Sequence, residues 1–187
     1  LGKSAVGTGR KAGIHNYITQ FMEFEDVAEP AIKHSVQHSF IHLIHGWGDS
    51  CHKGAHSGFK ADFDKLSLAV GSYLENYAET FSQEKDFVNV RGEDDLFKYL
   101  PLSKIALRIT KDDGLFDVMS RVMAARIAQT SLHISIELSA ESNVISFLYE
   151  NQGVLLGKND TIEREDEAAF VKCFERVDKI FYANEAC

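Results

Sequence analysis

Between Leu115 and Leu138 the spacing of the apolar residues changes period. Phe116, Met119, Val122, Met123 and Ile127 recur every three or four positions, the repeat of one helix face. Leu132, Ile134, Ile136 and Leu138 then alternate with polar residues, the repeat of a strand. A chain that makes this switch within a few residues must pack a helix against a sheet. Continuing the pattern, Glu141-Ser142-Asn143 reads as a turn, Val144 to Tyr149 as a return strand, and Gln152-Gly153 as a second turn before a sheet extension at Val154 to Leu156. Glu165 to Tyr182 reads as a closing helix, with Phe170, Val171, Phe174, Val177 and Phe181 toward the sheet.

The first half is helical in pattern. Ile14 to Ala28 places Ile18, Phe21, Phe24 or Met22, and Val27 or Ala28 at helical spacing, and Pro30 interrupts it. A second helix is expected from Ala31 to about His45, stopping near Gly46 and Gly48, with Gly46 to Phe59 as a loop. A third runs from about Ala61 to Gln83, with Leu66, Leu68, Val70, Tyr73, Leu74, Tyr77 and Phe81 as its buried stripe. A short strand is expected at Phe87-Val88-Asn89-Val90, and Leu96 to Ile109 is apolar without a clear period. The fold class that results is α+β. It comprises a flexible lead-in over 1–13, an antiparallel helical hairpin over 14–85, and a small α/β sandwich over 86–187. Two hairpins complete a four-helix bundle if the protein forms a homodimer.

Charge narrows the partners. A net charge of −8 and a pI near 5.5 disfavour nucleic acid or an anionic membrane surface as the main partner. No apolar run approaches the roughly 18 to 20 residues needed to span a bilayer. Cys51, Cys173 and Cys187 are odd in number and widely spaced, which fits a reducing, cytoplasmic setting.

The segment AIKHSVQHSFIHLIHGWGDSCHKGAH, Ala31 to His56, carries six of the eight histidines. On a helix, His34, His38, His42 and His45 share one face, and Val36, Phe40, Leu43, Ile44 and Trp47 fall opposite. One reading is a solvated polar face without chemistry, as in a non-catalytic dimeric adaptor. Another is a divalent-metal or sensory module drawing on His42, His45, Cys51, His52 and His56, since histidines four apart on a helix can share an ion. The third is a phosphate-accepting imidazole, which must face solvent while the opposite face holds the helix in place.

The order of residues supports this third reading. HSVQHSFIHLI resembles the phosphoacceptor helix of sensor histidine kinases and histidine phosphotransferases, with His34, Val36, His38, Phe40 and Leu43 at the matching positions. The helix pair followed by LFDVMSRVMAARIAQTSLHISIELSAESNVISFLYENQG resembles the sporulation phosphotransferase B family, in which a degenerate kinase ATP-binding domain follows a helical hairpin. The resemblance implies a phosphorelay protein of two-component signalling. Phosphate would pass between the aspartate of a response-regulator receiver domain and His34, with His38 as a neighbour in the catalytic site. Ser35 stands where kinases carry an acidic residue. Asn151-Gln152-Gly153-Val154-Leu155 lacks the aspartate and second glycine of a nucleotide-binding DxGxG, so ATP hydrolysis and a bound cofactor are not expected. Gly48 to Ser50, Gly157 to Asp160 and the pair Arg126 and His133 echo hydrolase and ribonuclease blocks, but read more simply as structural residues.

Overall fold

The computed structural model describes residues 39–50, 57–87, 91 and 96–183. They fall into two compact units. One includes 78–100, and the other joins 32–77 to 101–187.

The larger unit is mixed α/β. Helix α1 spans Ser39–Ser50. A 3-10 turn, Ser57–Phe59, leads into α2, Lys60–Asn76. Beyond residue 100 come β3 (Lys104–Ile109), α3 (Leu115–Ile127), β4 (Ser131–Glu137), α4 (Asn143–Leu155), β5 (Thr161–Glu165), the short α5 (Glu167–Val171) with a 3-10 turn at Lys172–Arg176, and β6 (Lys179–Tyr182). The four strands are all parallel, in the order β5-β4-β3-β6. Two successive right-handed crossovers in one direction put α3 and α4 on the same face. The return from β5 to β6 places α5 on the other, so the sheet is doubly wound.

The apolar face carries Ile105, Leu107, Ile109, Leu132, Ile134 and Ile136, all buried in one core with α3 and α4. Helices α1 and α2 join that core through Ile41, Ile44, Phe63, Leu66 and Val70. Trp47, Phe59, Phe63 and Phe147 form an aromatic cluster, with the Trp47 and Phe147 rings edge to face at 5.3 Å. Trp47 Nε1 also donates to Asn151 Oδ1 on α4 at 2.9 Å. The core therefore runs from Ile41 into the α/β layer, across the boundary at 85/86 that the sequence suggested.

Several expectations change. Val144 to Tyr149 is not a return strand but the first half of α4. Ser142 caps it, its Oγ accepting from the Ile145 N–H, and Val144, Ile145, Leu148 and Leu155 line one buried side. Parallel strands need such a crossover, whereas a hairpin turn would have served an antiparallel pair. The closing segment divides into the end of β5, α5, the 3-10 turn and β6. Asp166 caps α5 through the Ala169 N–H, and Asp178 Oδ2 accepts from the N–H groups of Ser103 and Lys104, fixing the start of β6 beside β3. Helix α1 runs through Gly46 and Gly48 to Ser50, because burial of Ile41, Ile44 and Gly48 against α2 outweighs a glycine cost of about 1 kcal/mol each. Ile41, next to His42 in the chain, is 6% exposed and belongs to the core. In the expected α2 stripe, Leu66 and Val70 are buried, while Leu68 and Phe81 are largely exposed. Helix α3 and strand β4 stand where the period change put them.

The second unit contains a two-stranded antiparallel ribbon, β1 (Lys85–Asp86) and β2 (Leu96–Phe97). Phe87, Phe97, Tyr99 and Phe81 form a chain of ring contacts on it, and Lys98 pairs with Glu84. Residues 88–90, most of the expected strand, lie outside the described residues.

Candidate functional site

The second face of the sheet is polar. Register places Lys104, Ala106 and Arg108 of β3 beside Ser131, His133 and Ser135 of β4, and His133, Ser135 and Glu137 of β4 beside Thr161, Glu163 and Glu165 of β5. Parallel sheets are ordinarily covered on both faces by long helices. Here the cover is the five-residue α5 and its 3-10 turn, so charged side chains line both the sheet and the opening beneath the cover.

Arg108 anchors the cover. Its side chain is 5% exposed; Nη1 donates to Ser135 Oγ at 2.7 Å and to the Glu165 carbonyl at 3.2 Å, and Nη2 lies 3.5 Å from Glu167 Oε2. The guanidinium stacks over the buried Phe170 ring at 4.7 Å. This clamps α5 to the centre of the sheet.

Beside the clamp lies the polar centre. His133 Nδ1 is 2.7 Å from Thr161 Oγ1, and Nε2 is 3.1 Å from Glu165 Oε2. The His133 and Glu165 side chains are 9% and 13% exposed. An ionised carboxylate only accepts, so in the neutral imidazole Nε2 carries the hydrogen toward Glu165 and Nδ1 accepts from the Thr161 hydroxyl. Both nitrogens are then engaged, and the ring orients Thr161 and Glu165 in the way a second group orients a catalytic base. The dyad lies at a cleft of about 280 Å³, which Lys104, Glu163, Lys172, Cys173 and Arg176 also line. Burial and the Glu165 charge push the Cys173 thiol above its usual value, while Lys104 and Arg108 act in the opposite direction. Cys173 is thus a neutral thiol near pH 7, a weak donor rather than a nucleophile.

The carboxyl ends of the strands are chemically different. Asp113 Oδ2 accepts from Thr110 N–H and Oγ1, closing the β3–α3 turn on itself. Gly114 is the one glycine of that turn, and Asp117 stands in the first turn of α3. A dinucleotide-binding turn needs several glycines and a helix N-terminus free of negative charge. This one opposes a pyrophosphate.

Of the residues singled out in the sequence, His42 and His45 are exposed on α1, and His45 Nε2 is 2.9 Å from Ser67 Oγ on α2. His34, His38, Cys51, His52 and His56 lie outside the described residues. Among the described residues, no group of three His, Cys, Asp or Glu side chains is arranged to hold a metal ion, and no helix is long and apolar enough to cross a membrane. Asp160 and Arg126 have structural work: Asp160 accepts from the N–H groups of Leu132 at 2.8 Å and Gly157 at 2.6 Å, and Arg126 lies 3.5 Å from it. Sequence reasoning placed His133 on a strand but missed its partners. The signal lay in the polar members of the alternation, Ser131, His133 and Ser135, which a doubly covered sheet turns inward rather than toward water.

Fold and site together define a doubly wound α/β domain with a polar cleft on its thinly covered face. Comparison with protein-family models, with curated proteins and with solved structures finds no match.

Proposed function

We propose that the domain binds a small polar metabolite in the cleft beneath α5. The observation that carries this reading is the His133 dyad, a buried imidazole with both nitrogens engaged beside an open cavity of about 280 Å³. Buried polar networks are costly unless every member is satisfied, and a cavity with a few convergent polar groups is the usual form of a small-molecule site. The volume suits a small molecule, just below the range typical of drug-sized ligands. The test is a screen of polar metabolites against the ¹⁵N-labelled protein. Compounds that bind should shift the backbone signals of His133, Thr161, Glu165 and Cys173, and His133→Ala should abolish those shifts. Binding that leaves these four signals unmoved would place the ligand elsewhere and defeat the reading.

A second reading is phosphotransfer from a receiver-domain aspartate to His34 in a homodimer, with His38 alongside. It is supported by HSVQHSFIHLI and by the exposure of His42 and His45 on α1, which share the sequence periodicity of His34 and His38. Incubation with phosphorylated receiver domains should label the chain at His34, and His34→Ala should remove the label. Equal labelling of the variant would refute this assignment.

A further inference from the structure

The chemistry of the cleft separates by sign. Against an ionised Glu165, Nε2 of His133 is a donor; when the imidazole is neutral, Nδ1 accepts the Thr161 hydroxyl hydrogen, which leaves Thr161 its lone pairs and Glu165 a second carboxylate oxygen. Neighbouring Glu163 on β5 adds another carboxylate. That side of the cleft offers acceptors. The basic residues come from other elements than β5: Lys172 and Arg176 from the 3-10 turn after α5, and Lys104 from the start of β3. These three side chains are donors only. The Cys173 thiol, held neutral by burial and by Glu165, follows Lys172 in sequence and lines the same cavity.

A purely anionic ligand would satisfy the cations but lie against the Glu163 and Glu165 carboxylates. A purely cationic ligand would do the reverse. Like charges held side by side repel and opposite charges attract, so the arrangement favours a molecule carrying both. From this separation we infer that the cleft binds a small zwitterion, a primary ammonium directed to Glu165 and Thr161 and an oxyanion directed to Lys172 and Arg176. The inference rests on the proposed cleft and specifies its ligand class. Guanidinium and ammonium groups differ as oxyanion partners: Arg176 gives a planar two-point contact and Lys172 a point charge. Loss of Arg176 therefore weakens binding more than loss of Lys172.

The experiment uses the full chain and three matched probe sets: α- and ω-amino acids, their N-acetyl derivatives, which keep only the anion, and simple alkylamines, which keep only the cation. Binding is read by isothermal titration and by the backbone signals of His133, Thr161 and Cys173. Amino acids should bind, and the N-acetyl and amine sets should bind at least tenfold more weakly. Arg176→Ala and Lys172→Ala, both exposed positions that leave the core intact, should each lower amino-acid affinity about tenfold or more. Glu165→Gln should do the same. N-acetyl derivatives binding as tightly as the parent amino acids would overturn the zwitterion and leave an anion site. Amines binding as tightly would overturn it in favour of a cation site. In both cases the cleft itself stands. If metabolites of other classes move the cleft signals while no amino acid does, only the zwitterion falls. If no compound of any class moves them, the cleft reading falls as well.

Discussion

Replacing Phe147 by alanine tests whether the helices before residue 77 and the sheet beyond residue 100 are one cooperative body. Phe147 is 2% exposed on α4, and its ring lies 5.3 Å from Trp47 on α1, 5.5 Å from Phe63 on α2 and 6.3 Å from Phe59. Truncating a buried phenylalanine costs about 3–5 kcal/mol through lost transfer energy and the cavity left behind. The edge-to-face pairs add roughly 0.5–1.5 kcal/mol each where they are well formed, so a value near the upper end, about 4–5 kcal/mol, is expected. For a domain of this size each kcal/mol lowers the melting temperature by about 2–4 °C, giving a drop of roughly 8–20 °C. Trp47 is the single tryptophan, so its fluorescence reports the aromatic cluster directly, while far-UV circular dichroism reports all the helices and strands. In urea both signals should move to the same lower midpoint, because the cluster and the sheet unfold together. The exposed Val154→Ala on the same helix should change stability by no more than about 0.5 kcal/mol. A fluorescence transition displaced in Phe147→Ala while the dichroism transition stays in place would refute the shared core.

Three further outcomes are expected. Asp160→Ala strands the N–H groups of Leu132 and Gly157 and should destabilise the fold by about 2–4 kcal/mol in urea melts; a change below about 0.5 kcal/mol would mean that these bonds are dispensable. Gln129 closes α3 with a positive φ of 59°, so Gln129→Gly should stabilise the protein, by about 0.5–1 kcal/mol; destabilisation would show that its side chain matters more than its backbone. The Cys173 thiol sits above its ordinary value in the fold, first through burial and then through Glu165, so its stabilising contribution is complete below the unfolded thiol's pKa and lost as pH rises through the folded one. Alkylation of Cys173, followed by peptide mass spectrometry, should therefore be slow at pH 7 to 8, and Glu165→Gln should accelerate it; an unchanged rate would remove Glu165 as a cause.

The period change at residues 115–138 determined α3 and β4, and the pattern before it determined α2. These are runs whose own residues carry the signal, because each buries one face at a local repeat. The exposure of His42 and His45 on α1 was legible for the same reason. The sequence by itself could not determine how Val144 to Tyr149 would fold. Valine, isoleucine and phenylalanine suit a strand as readily as a buried helix, and the outcome turns on the neighbouring strands being parallel, which requires a crossover. The segment after Glu165 was likewise divided by contacts far away in the chain: Arg108 on Phe170 and Asp178 on the start of β3. The site follows the same rule. His133, Thr161, Glu165 and Cys173 show no common spacing along the chain, and only the register of β4 with β5 and the return of α5 across the second face bring them to one cleft.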